Sequence, residues 1–213
     1  MIRHMMALIL ATGLIQAAAV SLPDATVDMD KGSTKGKQTL VLAGGCFWCT
    51  EAVFEQLNGV DKVVSGYAGG DAATAHYEIV GSGHTNHAES IEVTYDPSKI
   101  SMGQILKVFF AVAHDPTTLN RQGPDWGKQY RSAIFYKDAE QKKIAEAYIK
   151  QLEDAHAFGK PIVTEVTQLK KFYSAEGYHQ HYVQLHPDNP YVMQNSVPKL
   201  EKLKKQFGPW LKK

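Results

Sequence analysis

Cysteine is scarce in this chain: 213 residues hold two, Cys46 and Cys49, three apart in one short run. Thiols so close together cannot tie distant segments, which excludes a disulfide scaffold and leaves chemistry as their use. An excess of one charge is lacking too. Lys and Arg number 23 against 22 Asp and Glu, for a net charge of +1, so nothing favours nucleic acid or another polyanion as a partner. Long apolar runs are confined to the start, where Arg3 and His4 precede Met5 to Ile15 and the chain continues into Gln16-Ala17-Ala18-Ala19. That run is too short for a comfortable transmembrane span, and Ala17-x-Ala19 is the small-residue pattern of a cleavage site. Residues 1–19 therefore read as a signal peptide cut after Ala19, with an uncleaved anchor or a mis-assigned start as the alternatives. No cysteine follows the small residues, which argues against a lipoprotein. The expected destination is periplasmic or extracellular, without stable membrane association after cleavage. A thiol pair there oxidises unless something reduces it.

Residues 20–37 are polar, with Asp24, Asp28, Asp30, Lys31 and Lys35 among them, and read as a flexible linker. The remaining chain, 38–213, is long enough for one domain with a substantial core, and its 44% apolar and 21% charged composition over the full sequence is that of a globular protein. Apolar spacing predicts a strand over 38–43, a helix over 46–57 stopped by Asn58-Gly59, and a strand over 60–67. A long glycine-punctuated loop to about Asn86 follows, then a strand over 88–95, a helix capped by Ser101 and running to about Ala113, a second loop over 114–128, and a strand over 129–136. This βαββαβ order implies an α+β fold, the ferredoxin-like α/β plait with a mixed or antiparallel sheet. Additional C-terminal elements are a helix over 138–157, a strand near 163–167, a helix over 175–186 and an amphipathic helix from Pro198 carrying Leu200, Leu203 and Phe207 on one face.

The first strand and helix meet at Ala43-Gly44-Gly45-Cys46-Phe47-Trp48-Cys49. A thiol in the first turn of a helix faces unpaired N–H groups and the positive end of the helix dipole, so Cys46 is expected to be a nucleophile with a lowered pKa. Phe47 and Trp48 offer a flat apolar wall that fits a small group such as a methyl.

Gly44-Gly45-Cys46-Phe47-Trp48 resembles the signature of peptide methionine sulfoxide reductases of the A type, and further segments agree in order. These are Gly83 to Glu89 (Gly-x-x-x-His-Ala-Glu), His114-Asp115-Pro116, Asn120 to Asp125 (Arg-Gln-Gly-x-Asp), Gln129 to Ile134 (Gln-Tyr-Arg-Ser), Phe172 to Gln180, and Asn189-Pro190-Tyr191. The resemblance implies reduction of methionine S-sulfoxide, free or in oxidised proteins, back to methionine. It implies Cys46 as the attacking thiolate and Glu89 as the acid on the departing oxygen. Tyr77 and Tyr130 would be hydrogen-bond donors to that oxygen, Asp125 would lie beside them, and Phe47 and Trp48 would hold the S-methyl. Burial should raise the pKa of Glu89 enough to keep it protonated. No metal or cofactor is implied; a thioredoxin-like thiol reductant is. The commonest pattern of the family has glycine at position 49 and resolving cysteines near the C-terminus, and this chain has Cys49 instead. By elimination and helical spacing Cys49 is the candidate that resolves the Cys46 sulfenic acid, giving a Cys46–Cys49 disulfide.

Other readings stand beside this one. Cys49 could be a passive helix residue, with an external thiol resolving Cys46. Cys46-x-x-Cys49 at a helix start also suits a general thiol–disulfide oxidoreductase, although the expected strand with a cis-proline is missing. His84, His87 and Glu89, or His179, His181 and His186, could ligate a metal in a noncatalytic binding protein. Tyr77 and Tyr130 taken alone would pass for core aromatics.

Overall fold

A computed structural model describes residues 21–29 and 36–213. The expected signal peptide, 1–19, lies outside the described residues. Strand β1 (Gln38–Gly44) runs into helix α1 (Phe47–Glu55) and strand β2 (Val60–Ala68). A loop carrying the short helix α2 (Tyr77–Gly81) leads to strand β3 (Ala88–Tyr95) and helix α3 (Met102–Val108), which continues as a wide π turn over Phe109–Ala113. The two-residue strands β4 (Arg121–Gln122) and β5 (Asp125–Trp126) form a small hairpin before β6 (Ser132–Tyr136). Helix α4 (Ala139–Asp154), strands β7 (Glu165–Gln168) and β8 (Phe172–Ser174), the one-turn helix α5 (Tyr182–Leu185) and helix α6 (Val197–Phe207) complete the chain.

Six strands make one sheet in the order β7-β6-β1-β3-β2-β8. The inner four, β6-β1-β3-β2, are antiparallel neighbours with two helical crossovers, the expected α/β plait. Strand β7 adds parallel to β6, which makes the sheet mixed, and β8 adds antiparallel to β2. Gly66 permits that last pairing, because a Cβ there would lie 2.3 Å from the Tyr173 carbonyl oxygen.

The alternation of β3 buries one face under α1 and α3, where Leu40, Leu42, Phe54, Ile91, Ile105, Leu106 and Phe109 are all fully buried. A smaller apolar cluster on the other face, with Val41, Ala68, Ala133 and Phe135, is covered by Leu169 and Phe172. The site sits at the edge where β1 ends, since a strand emerging from a buried sheet must turn at its end and the turn is where a side chain can be presented.

Three expectations need correction. Residues 129–131 are not strand: Lys128–Tyr130 is a 3-10 turn, and the strand begins at Ser132. Residues 175–186 are not one helix. They form a 3-10 turn (Gly177–His179), a left-handed His181 (φ 55°) and the single turn α5, because the Gln180 side chain bonds to the Ser65 backbone of β2 and the His181 backbone N–H donates to Glu51 of α1. Nor are residues 21–29 a loose linker. Leu22 and Met29 are buried, Tyr148 donates to the Pro23 carbonyl at 2.9 Å, and the Asp24 carboxylate pairs with Lys107 at 2.7 Å. The Asp28 carboxylate accepts the Gly103 N–H at 2.9 Å and the Ser101 hydroxyl at the start of α3. Polar composition suggested an unpacked segment, yet Asp24, Thr26 and Asp28 find partners on α4 or on and at the start of α3.

Candidate active site

The site is built where β1 passes into α1. Gly45 turns the chain with φ +86°, and a Cβ at this position would lie 2.5 Å from the Gln122 side chain. Glycine is thus required both by conformation and by space. The Gln122 amide fixes this loop in turn, donating to the Asp115 carbonyl at 2.7 Å and accepting the Asp115 N–H at 2.9 Å.

Cys46 is the N-cap of α1, and its carbonyl receives the Thr50 N–H at 3.3 Å. The first-turn N–H of Phe47 donates to the Glu89 carboxyl of β3 at 3.1 Å. Glu89 is 2% exposed, and burial pushes its pKa up to about 8, against the lowering effect of the Phe47 N–H. A carboxyl in this setting holds its proton at neutral pH, as expected from sequence.

Above the carboxyl lie the aromatic walls. Phe47 is buried, with Tyr77 nearly parallel to it at 6.4 Å and Tyr67 at 5.9 Å. Trp48 is half-buried and fixed from two sides. Its indole N–H donates to His179 Nδ1 at 3.0 Å, and its ring stacks on Tyr182 at 3.7 Å and 7°. His179 also covers Tyr77 at 4.2 Å. The Tyr77 backbone N–H donates to Glu176 at 3.0 Å, and the Tyr67 hydroxyl donates to the same carboxylate at 2.8 Å. Tyr77 and Tyr130 are both half-buried. Burial is the main reason their pKa values rise, Tyr77 to about 12 and Tyr130 well above the ordinary tyrosine range, and both rise further through Glu89 and Cys46. Both phenols therefore keep their protons and can donate. Asp125, on β5, accepts the Tyr191 hydroxyl at 2.5 Å, and burial raises its pKa.

Cys46 departs from the sequence expectation. Burial, then the neighbouring Cys49 and Glu89, push its thiol well above the ordinary value instead of lowering it. Cys49 moves the other way, down to about 6, chiefly because it accepts the Cys46 proton in a hydrogen bond, with Lys199 and Ser196 assisting. The helix dipole is present, but Cys46 is only 8% exposed, and desolvation outweighs it. Within the pair, negative charge is favoured on Cys49 over Cys46. A cavity of about 350 Å³ opens beside the two sulfurs, lined by Asp125, Tyr191, Asn195 and Lys199 among others.

All eight sequence-derived site residues, Cys46, Phe47, Trp48, Cys49, Tyr77, Glu89, Asp125 and Tyr130, converge here. The metal groupings do not gather as sequence spacing allowed. His87 Nε2 is bonded to the Asp71 carbonyl, Glu89 faces Phe47, and His179 and His181 serve Trp48 and Glu55. One set among the described residues, Glu51, Glu55 and His181, offers three donor atoms within 4.8 Å of one another. His181 pairs with Glu55, and its backbone N–H donates to one Glu51 oxygen at 2.9 Å, while the other Glu51 oxygen is buried without a partner among the described residues. Sequence reasoning assigned no role to Tyr191, Ser196 or Tyr182. Tyr191 lay within a segment that fits the family, but nothing in its spacing shows that it reaches Asp125.

Two adjacent buried thiols, a protonated carboxyl, two phenols and an aromatic wall define a thiol-based reductase site with proton donors beside the thiols. The family model for peptide methionine sulfoxide reductase matches residues 38–210. Peptide methionine sulfoxide reductase MsrA 2 of Synechocystis is 51% identical over 211 residues, covering 97% of this chain and 99% of the relative. MsrA 2 of Mesorhizobium japonicum is 52% identical over 179 residues, 84% of this chain and 92% of the relative. Among solved structures, reduced Mxr1 of Saccharomyces cerevisiae is similar with a TM-score of 0.67 and 34% identity, covering 79% of this chain and 94% of its own. Methionine sulfoxide reductase A of Corynebacterium diphtheriae has a TM-score of 0.62 at 33% identity, covering 80% and 84%. The chain belongs to the peptide methionine sulfoxide reductase family, A type. Its reaction is the thiol-dependent reduction of methionine sulfoxide, a repair of oxidised protein.

Proposed function

We propose that the enzyme reduces the S epimer of methionine sulfoxide, free or in a polypeptide, by a two-cysteine cycle in which Cys46 attacks and Cys49 resolves. The observation that carries this is the burial of Glu89 as a neutral acid against the first turn that presents Cys46. Sulfoxide sulfur is a weak electrophile, so attack needs simultaneous protonation of its oxygen. Phe47 and Trp48 receive the S-methyl, which sets the oxygen towards Glu89, Tyr77 and Tyr130. As Cys46 attacks the sulfoxide sulfur, its proton passes to the Cys49 thiolate and Glu89 gives its own to the oxygen. The oxygen is transferred to Cys46, methionine leaves, and Cys46 becomes a sulfenic acid. Sulfoxide sulfur is reduced by two electrons, and Cys46 is oxidised by two.

Cys49 then attacks the Cys46 sulfur. The S–S bond forms, the S–O bond breaks, and the oxygen leaves as water with the Cys49 proton. A thioredoxin-like dithiol of external origin reduces the disulfide. The acid limb of activity then belongs to the thiol pair and the alkaline limb to Glu89, near 8. We further propose export, with cleavage near Ala19, so that repair takes place outside the cytoplasm. Epimer-resolved chromatography of turnover with dithiothreitol tests the core of this reading. S epimer is consumed and R epimer persists, while Cys46→Ser consumes neither. Equal consumption of both epimers, or turnover by Cys46→Ser, overturns it.

A further inference from the structure

Cys49 is the third residue of α1, in its first turn, and negative charge is favoured on its sulfur over that of Cys46. The group that faces it comes from the far end of the chain. Ser196, 1% exposed, places its hydroxyl 3.1 Å from the Cys49 sulfur, and Cys49 is 2% exposed. Between two buried groups the hydroxyl proton has that sulfur as its partner, because the alternative is a buried donor with no acceptor. Ser196 is turned inward by a wide π turn, Val192–Ser196, whose two buried residues are its first and last. Such turns recur at functional sites because the extra residue redirects a side chain. Helix α6 starts immediately afterwards, and Lys199 on its first turn lines the same cavity, with its ammonium donating to the Ala113 carbonyl at 2.7 Å.

Accepting the reading that Cys49 resolves Cys46, we propose that Ser196 is a positioning residue of that second step. Its hydroxyl donates to Cys49, holds the sulfur as a thiolate on the Cys46 side of α1, and so extends disulfide formation into mildly acidic conditions. The other groups facing Cys49 are accounted for. Cys46 donates to it, Lys199 favours its charge, and Asp125 opposes it. Glu89 and Tyr191 also feel Cys49 and are neutral at the pH of interest, Glu89 up to about 8. Ser196 is the neutral donor among these neighbours that does not itself titrate, so its removal moves the thiol without adding or deleting a charge. Cys49 gives up the proton it took from Cys46 in the first step, its electron pair forms the S–S bond as the Cys46 S–O bond breaks, and that proton leaves with the oxygen as water.

The test compares wild type with Ser196→Ala, and Ser196→Thr with Ser196→Val, which share a shape but differ in the hydroxyl. One equivalent of methionine S-sulfoxide is added, and disulfide formation is followed from pH 5 to 9 by quenched-flow mass spectrometry. Alkylation of Cys49 in the reduced full-length enzyme is read site by site over the same range. A hydrogen bond to a charged group is worth about tenfold or more in the thiol equilibrium. The alkylation midpoint of Cys49 should therefore rise by about one pH unit in Ser196→Ala and Ser196→Val, and stay in place in Ser196→Thr. Disulfide formation near pH 5 should slow about threefold, since the lost thiolate is partly offset by greater nucleophilicity, and should recover to wild-type rate above pH 8. An unmoved midpoint in both hydroxyl-free variants overturns the proposal, as does a loss of rate that persists at alkaline pH. Cys49→Ser separates this from the reading it rests on. If its sulfenic acid is resolved as fast as wild type, the resolving role of Cys49 fails. If it stalls while Ser196→Ala behaves as wild type, the role of Ser196 alone fails.

Discussion

At the scale of single residues, the proposed chemistry turns on Glu89 and on the Cys46–Cys49 pair. Glu89 would be an ordinary anion on the surface; inside the sheet it is an acid with a pKa of about 8. Glu89→Gln keeps the shape and still accepts the Phe47 N–H, but has no proton to give. Its first-turnover rate should fall by about two to four orders of magnitude, the usual range for a lost general acid. In stopped-flow pH profiles the alkaline limb should disappear while the acid limb, set by the thiols, remains. A variant that keeps both limbs at wild-type rate would transfer the acid role to Tyr77 or Tyr130. Cys49→Ser makes a second prediction. The acid limb should move upward, because Cys46 is left with a buried thiol of raised pKa and no thiolate neighbour to take its proton. Turnover with a thioredoxin-type reductant should stall after one methionine per enzyme, with partial rescue by dithiothreitol. Steady turnover at wild-type rate would show that an external thiol resolves Cys46 directly.

Among the elements, the turn at Gly45 shapes the site and the strap at residues 21–29 is tied to α3 and α4. Gly45→Ala meets both a positive φ and the Gln122 side chain, so activity should be lost through displacement of Cys46. Circular dichroism should show the sheet intact, and a wild-type rate would contradict the role given to this turn. Asp28→Ala removes the acceptor for Gly103 and Ser101 at the start of α3 and should cost about 0.5–2 kcal/mol in denaturant unfolding. No change in midpoint would mean the strap is dispensable.

The same two places show what a sequence reveals. The strand, the two glycines and Cys46 were legible because strand alternation, a turn and a helix start are local. So were β3, matched residue for residue over 88–95, and the plait itself. The strap was not legible, since the partners of Asp24 and Asp28 lie about 75 to 83 residues away. The stretch 175–186 failed for the same reason. Gln180 bonds to the Ser65 backbone and the His181 N–H to Glu51, and these distant acceptors override the local helical spacing. The candidate site residues could be named from sequence because their motifs are ordered. The direction of the Cys46 shift was not, because the desolvation that decides it depends on the packed site.

For the whole molecule, the buried acid links stability to pH. Glu89 has a folded pKa of about 8, above the ordinary carboxyl value of 4.5. Its contribution is fully present below 4.5 and is lost as pH rises towards 8, by about 1.4 kcal/mol per pH unit. Thermal melts from pH 5 to 8 should therefore fall more steeply in wild type than in Glu89→Gln, by about 2–4 °C per kcal/mol. Parallel slopes would contradict the assignment. Export is tested by N-terminal sequencing of natively expressed protein, which should begin near Val20; an intact Met1 on cytoplasmic enzyme would refute it. The central claim, that one buried thiol pair completes the reduction within the chain, is tested most directly by a single turnover. Reduced enzyme, free of other thiols, is mixed with one equivalent of methionine S-sulfoxide, and product and peptide masses are measured together. The account predicts one methionine per enzyme and a Cys46–Cys49 disulfide; methionine formed with Cys46 left as a sulfenic acid beside a free Cys49 would contradict it.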